Sequence, residues 1–150
     1  MANTTYRELA NAVFDKIKDI DFANMDEEVV YQIVINYIRP AVVAFQSSTQ
    51  DLSDRDDELA QFNFQLHDST FIILVNYMII EWLTSNFILT SNALKPRLST
   101  SDFHSLNLHN QLSKATELRN ILKSENDQLA INKSYKDSKL FDLVKKRKKV

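Results

Sequence analysis

The side chains best suited to chemistry are the three histidines of the chain and Glu81, which lies in the most apolar stretch. His104 and His109 are five residues apart, which puts them about 140° apart around a helix, so they cannot bind the same metal ion. His67 precedes Asp68, but adjacent residues on a helix do not face each other, and a helix cap explains Asp68 more simply. Glu81 has no second carboxylate at helical spacing in its segment. We therefore expect no enzymatic activity, no metal site and no cofactor.

A polar loop, residues 46–57, runs into a group of five acidic side chains between Asp51 and Glu58 that could suggest calcium binding. A calcium loop needs ligands at alternate positions, a glycine at its sharp turn and a closing glutamate, and this stretch lacks that spacing. The pattern favours a solvated cluster that caps a helix. Contact with a metal or with a basic partner is the alternative.

The end of the chain is basic and contains five consecutive cations, residues 145–149. Residues 133–150 hold eight Lys or Arg and two acids, a charge of +6; because the whole chain carries −2, residues 1–132 carry −8. Such a run can contact nucleic acid, act as a nuclear import signal or simply be solvated. The acidic body and the lack of a recognition-helix signature disfavour nucleic-acid binding as the main function. A small intracellular regulator that binds nucleic acid through this tail is the alternative function.

The chain contains no glycine and no cysteine. Without cysteine there is no disulfide framework and no thiolate metal site. Without glycine, the phosphate-binding loops and the nucleophile elbow are excluded, and tight turns must use Asn, Asp or Ser. The first residues, MANTTYRELANAVF, lack the basic and apolar regions of a signal peptide, so we expect an intracellular origin. This composition favours a few long helices over hairpin-rich sheets.

The stretch that organises the chain is residues 67–94, which contains the only tryptophan, Trp82. Eleven of the thirteen residues from 71 to 83 are apolar, so apolar side chains point in nearly every direction. Thirteen residues of helix span about 20 Å, less than the hydrocarbon core of a membrane. The pattern predicts a buried central helix, capped by Asp68 or Ser69, and no membrane span.

Two helices are predicted before this one. The first begins at a Thr4 or Thr5 cap, because Glu8 completes a capping box with Thr5. Residues 20–23 form the connection. The second begins at residues 25–28, where acids complement the helix dipole, and Pro40 leaves open whether the helix is kinked or is followed by a short successor.

A further short helix is predicted after the polar loop. Ser53 and Asp56 have the spacing of a capping box, and Leu59, Phe62 and Leu66 follow on one stripe.

Residues 91–101 form the next connection, and residues 99–102 begin a short turn that carries Phe103 and Leu106. The last helix, residues 107–132, is predicted to pack through a single apolar stripe, with Asn126 and Asp127 on the opposite polar face. The stripe consists of Leu108, Leu112, Ala115, Leu118, Leu122 and Leu129, and Ile121 lies beside it. From Lys133 the pattern ends, and a basic C-terminal arm that orders on a partner is expected.

The predicted fold is therefore all-α. A bundle of four to five helices surrounds the central hydrophobic helix in residues 1–132, and residues 133–150 form an extended basic arm.

Four fragments of the chain form a pattern when they are taken in order. They are YIRPAVVAFQSSTQDLSDRDDELAQFNFQLHD, the core run ILVNYMIIEWL, the turn STSDF, and the leucine-striped helix followed by Ser134 and Tyr135. Together they resemble a family of small helical proteins of tailed bacteriophages, the head–tail connector or adaptor subunits. The resemblance covers residues 25–136.

The resemblance implies a structural subunit of the virion neck, made in the host cytoplasm and assembled into a ring of typically about twelve copies beneath the portal protein. It implies that a C-terminal arm docks on the portal and on neighbouring neck or tail-completion proteins, and that DNA passes through the ring without sequence-specific recognition. On this chain the arm is residues 135–150. Its docking residues would be Tyr135, Leu140, Phe141, Val144, Lys145, Lys146, Arg147, Lys148 and Lys149.

Overall fold

The computed structural model describes residues 2–17, 25–89 and 102–138, and the chain there is mostly helical, which confirms the all-α prediction. The predicted connections at residues 20–23 and 91–101 fall outside the described residues. The elements in chain order are α1 (Tyr6–Lys16), α2 (Glu27–Ile35), α3 (Ile38–Ala44), β1 (Arg55–Asp56), β2 (Gln61–Phe62), α4 (Asp68–Leu83), a π-helical turn (Thr84–Leu89) and α5 (Asp102–Asp137).

The predicted capping box at the start of α1 is present. The Thr5 hydroxyl accepts a hydrogen bond from the Glu8 backbone N–H at 3.3 Å, and the Glu8 carboxylate accepts one from the Thr5 N–H at 2.7 Å. The two bonds satisfy donors that the helix itself leaves free, which fixes where α1 begins.

The region around Pro40 resolves into a helix and a short successor. Asp26 caps α2 by accepting a hydrogen bond from the Glu28 N–H at 3.0 Å. The helix ends at Ile35, and α3 begins at Ile38, which leaves Pro40 in the first turn of α3. A proline is tolerated there because the first N–H groups of a helix have no partner within it.

The prediction of a helix after the polar loop is wrong. Residues 55–62 form a short antiparallel hairpin in which Arg55 lies opposite Phe62. The Asp56 carboxylate accepts from the N–H groups of Glu58 and Leu59, so it closes the turn instead of capping a helix. The hairpin also joins the start of the chain, since Phe62 donates its N–H to the Thr4 carbonyl at 2.8 Å. This long-range pairing overrides the local helical spacing.

The hairpin turn also departs from the prediction that turns use Asn, Asp or Ser. Its last residue, Ala60, has a φ of 52°, in the left-handed region that glycine normally occupies. Ala60 accepts a hydrogen bond from the Tyr6 N–H through its carbonyl at 2.8 Å, so contact with α1 holds it in this conformation.

Helix α4 lies at the centre of the bundle, as predicted, and contacts α1, α3 and α5. Its cap differs from the prediction. His67 is the N-cap and makes no side-chain capping bond, while Asp68 is the first helical residue, where its charge complements the helix dipole. The α-helix ends at Leu83, and the chain continues as the π-helical turn to Leu89. The predicted helix extended to Leu94, which lies outside the described residues.

The core forms around α4 and is almost entirely apolar. Leu74 and Met78 of α4 are fully buried, together with Leu9 of α1, Val34 of α2 and Phe62 of β2. Among the helices of the described residues, none is both long enough and apolar enough to cross a membrane.

Helix α5 is longer than predicted at both ends, with 36 residues and a length of about 54 Å. Asp102 and Phe103, predicted as a separate turn, belong to its first turn. At the other end, the helix continues past Asn132 to Asp137 and so includes the first residues of the predicted arm.

Candidate functional site

Helix α5 attaches to the bundle through a face that the sequence did not indicate. Asn126, predicted to be solvated, is only 2% exposed, while Leu118 and Leu129 of the predicted stripe are each 50% exposed. Leu112 of that stripe is buried, and Ala115 and Leu122 are partly buried. The prediction of a packed leucine stripe is therefore wrong at Leu118 and Leu129, and α4 offers polar groups to α5 at Asn126.

The contact between α4 and α5 centres on a relay of hydrogen bonds. The Asn126 amide donates to the Ile73 carbonyl at 3.1 Å, and its oxygen accepts from the Asn76 amide, also at 3.1 Å. The Asn76 oxygen in turn accepts from the Lys16 ammonium at 2.8 Å, which connects α1. Buried polar groups must be paired in this way, and such pairing fixes one register between two helices.

A second polar contact lies one residue further along both helices. The Tyr77 hydroxyl donates to the Asp127 carboxylate at 2.6 Å, and Lys123 donates to the other carboxylate oxygen at 2.9 Å. Burial, and then the hydrogen bond to Asp127, raises the pKa of Tyr77. For Asp127 burial acts to raise the pKa, but the bonds from Tyr77 and Lys123 outweigh it and lower the pKa below its ordinary value.

Polar side chains also attach α5 near its middle and near its C-terminal end. Arg119 donates through Nε to the Thr84 hydroxyl at 3.2 Å, on the π-helical turn. Near the C-terminal end, the Asp137 carboxylate accepts from Lys133 and from the Thr49 hydroxyl. Those two hydrogen bonds lower the pKa of Asp137.

An open groove, which we call the α4–α5 groove, runs along one side of this contact. It consists of a cavity of about 320 Å³ bordered by Ile79 and Leu122, and a second of about 450 Å³ bordered by Ile72 and Lys136. Leu129 borders both cavities, so they adjoin. Apolar side chains supplied by two helices form the walls, an arrangement typical of sites that accept an apolar segment.

The groove runs along the solvent-exposed face of helix α4, whose other faces are buried. Ser69 and Ile72 are exposed on this strip, and Asn76 and Ile79 are partly exposed. Across from them, α5 contributes Leu122 and Leu129 together with charged side chains at the rim, Glu125, Lys133 and Lys136.

The docking residues predicted by the family resemblance are mostly outside the described part of the chain. Tyr135 lies near the end of α5 and is 61% exposed, on a different side of the helix from Leu129. Leu140, Phe141, Val144, Lys145, Lys146, Arg147, Lys148 and Lys149 fall beyond residue 138. Sequence reasoning did not identify Ile72, Leu129 or Asn126. The available signal was Asn76, an amide inside the apolar run that needs a buried partner.

The acidic side chains of the hairpin region accept hydrogen bonds from nearby turns and, at Asp57, from α1. Asp51 accepts from the Ser53 hydroxyl at 2.5 Å, Asp54 from the Asn63 amide at 2.8 Å, and Asp57 from the Tyr6 hydroxyl at 2.5 Å. The cluster therefore stabilises turns and not the helix that was predicted.

No group of three or more His, Asp or Glu residues in the described ranges is arranged to bind a metal ion. His67 is exposed at the start of α4, and Glu81 is partly exposed on α4. The side chains of His104 and His109 fall outside the described part.

Comparison with known proteins gives no match: no family model, no curated protein and no solved structure is significantly similar to this chain.

Proposed function

We propose that the protein is a non-enzymatic structural subunit, of the kind that forms the head–tail connector of tailed bacteriophages. In this role it would assemble into a ring of typically about twelve copies that joins the portal to the tail, in the neck of the virion. The observation that carries the proposal is the α4–α5 groove, whose wall residues Ile72 and Leu129 are each half exposed on an otherwise well-packed body. Contiguous exposed apolar surface on such a body is typical of protein–protein interfaces.

The distribution of charge supports a ring in particular. A ring is built from head-to-tail contacts, in which one patch of each copy meets a different patch of its neighbour. This chain has two unlike regions, because residues 1–132 carry −8 and residues 133–150 carry +6. The hydrogen bonds of Asn76 and Asn126 fix the position of α5 on α4. A repeating assembly requires that each copy present its surfaces in the same arrangement.

The experiment that tests the proposal is the solution mass by light scattering over a range of protein concentrations, with negative-stain images of the same fractions. We expect ring-shaped particles whose mass is many times the 17.4 kDa of one chain. Leu129→Asp should lower the mass to that of a single chain, because a charge in the groove opposes burial against a neighbour. Ile131→Asp is the matched control, since Ile131 is 42% exposed and lies on the other side of α5.

A small regulator that binds nucleic acid is the second candidate, and the run Lys145-Lys146-Arg147-Lys148-Lys149 favours it. Under this alternative, the chain stays single at every concentration and binds DNA with an affinity that falls steeply as salt rises. Removing residues 145–149 would abolish that binding. A ring subunit would show neither the steep salt dependence nor the constant single-chain mass.

A further inference from the structure

The chain leaves α5 beside the wider end of the α4–α5 groove. Asp137 is held by Thr49, and the Ser138 hydroxyl donates to the Tyr135 carbonyl at 2.9 Å, which closes the last turn of the helix. Asp137 and Lys136 border the cavity of about 450 Å³, so the next residue starts at its edge.

The twelve residues that follow have a composition suited to this groove. Residues 139–150 read KLFDLVKKRKKV, in which four apolar side chains surround Asp142 and precede the five cations. The four are Leu140, Phe141, Leu143 and Val144. Six extended residues reach about 20 Å, and a helix rises about 1.5 Å per residue. If residues 139–144 run back along α5, they would therefore cover the α4–α5 groove as far as the level of Glu125.

Opposite charges meet at one end of this alignment. Asp142, about 13 Å from Ser138, lies at the level of Leu129, past Lys136 and past Lys133, whose ammonium donates to Asp137. Lys145 then reaches the level of Glu125, the acidic side chain of the narrower cavity. Lys16 is the cation at that end, and its ammonium is engaged by Asn76. Opposite charges thus meet at the narrower end of the groove, between Lys145 and Glu125.

We propose that residues 139–145 fold back into the α4–α5 groove of their own chain, with the apolar side chains between Ile72 and Leu129. The own segment is favoured over a second copy because it is tethered at the groove, so its effective concentration there is high and the loop to be closed is short. This docking does not depend on the proposed function. If the protein does form a ring, a neighbouring copy has to displace the segment.

The absence of cysteine makes a disulfide test direct. In the full chain, Leu129→Cys is combined with Leu143→Cys, and the rate of disulfide formation under mild oxidation is followed by mass spectrometry at low protein concentration. The control pair is Ile131→Cys with Leu143→Cys. Residues 129 and 131 are at nearly the same height on α5, about 160° apart, and are similarly exposed. We expect the Leu129 pair to form an intrachain disulfide about tenfold faster than the control pair.

Equal rates for the two pairs would overturn the docking in the groove. A disulfide that links two chains would overturn docking within one chain and assign the groove to a second copy. A third variant adds Phe141→Asp to the Leu129 pair, and its rate should fall to that of the control. Urea unfolding of each reduced variant verifies that the bundle is intact, and neither Leu129 nor Ile131 belongs to the buried core.

Discussion

The two sides of α4 contact their neighbours by different physical means. Toward α1 and α3, α4 presents Leu74 and Met78, which are fully buried among apolar side chains. Toward α5 it presents Asn76, Tyr77 and the Ile73 carbonyl, which make directed hydrogen bonds. Apolar burial is strong and non-directional, whereas hydrogen bonds add little net stability but specify position.

The difference implies that α5 is the more easily released helix. Full burial of a leucine side chain contributes about 1.5–3 kcal/mol, and a net hydrogen bond about 0.5–1.5 kcal/mol. Among its described residues, helix α5 buries Leu112 and Ala130, keeps Leu118 and Leu129 half exposed, and is positioned by the hydrogen bonds of Asn126 and Asp127. We infer that local opening involves α5 before the α1–α4 core, as expected where few apolar contacts are buried.

The largest effect is expected from a cavity on the apolar side. Leu74→Ala should lower the free energy of unfolding by about 2–5 kcal/mol, because it removes buried methyl groups that neighbouring side chains cannot replace. Ile72→Ala, two residues away and half exposed, is the matched control and should cost less than about 1 kcal/mol. Urea unfolding of both variants measures the difference. Similar losses would mean that the two sides of α4 do not differ as described.

An intermediate effect is expected at the centre of the polar side. Asn126→Ala removes both bonds of its amide and leaves the Asn76 N–H without its partner, at a cost of about 1–3 kcal/mol. Hydrogen exchange should show the loss in α5 and leave the protection of α1 and α4 unchanged. Asn110→Ala is the control, because Asn110 is exposed on the same helix. Uniform loss of protection across the bundle would contradict separate opening of α5.

The smallest effect concerns Tyr77 and pH. The pKa of Asp127 is lowered in the folded chain. The ionised carboxylate therefore contributes fully to the free energy of unfolding above the ordinary carboxyl pKa of about 3.9, and this contribution is lost as pH falls through the lowered pKa. Tyr77→Phe removes a bond to this carboxylate and should cost about 1 kcal/mol at pH 6. Between pH 5 and pH 2 the variant should lose less stability than the natural chain. Identical pH profiles would show that this bond has no role in the acid response.

Local sequence patterns predicted much of the fold. The capping box of Thr5 and Glu8, the start of α2 at Asp26, the successor helix at Pro40 and the central apolar helix follow from signals within a few residues of one another. The structure confirms them because each depends on backbone groups and side chains of a single turn or stripe.

The missed features depend on distant residues. The hairpin forms because β2 pairs with Thr4 and Thr5, about 57 positions away in the chain, and two-residue strands carry no periodic signal. Asn126 was assigned to the polar face because hydrophobic periodicity counts an amide as solvated. Its burial depends on Asn76, fifty positions earlier. The candidate groove was missed for the same reason, since its walls come from two helices.

The left-handed conformation of Ala60 has a consequence for the unfolded state of the chain. A non-glycine residue in this region costs roughly 1–2 kcal/mol in the folded state. Glycine would remove that cost, but it would also widen the range of unfolded conformations by an amount worth about 0.5–1 kcal/mol. The second effect offsets about half of the first at Ala60. A chain with no glycine at any position therefore has a comparatively stiff unfolded ensemble, and fixing each backbone residue sacrifices less entropy on folding.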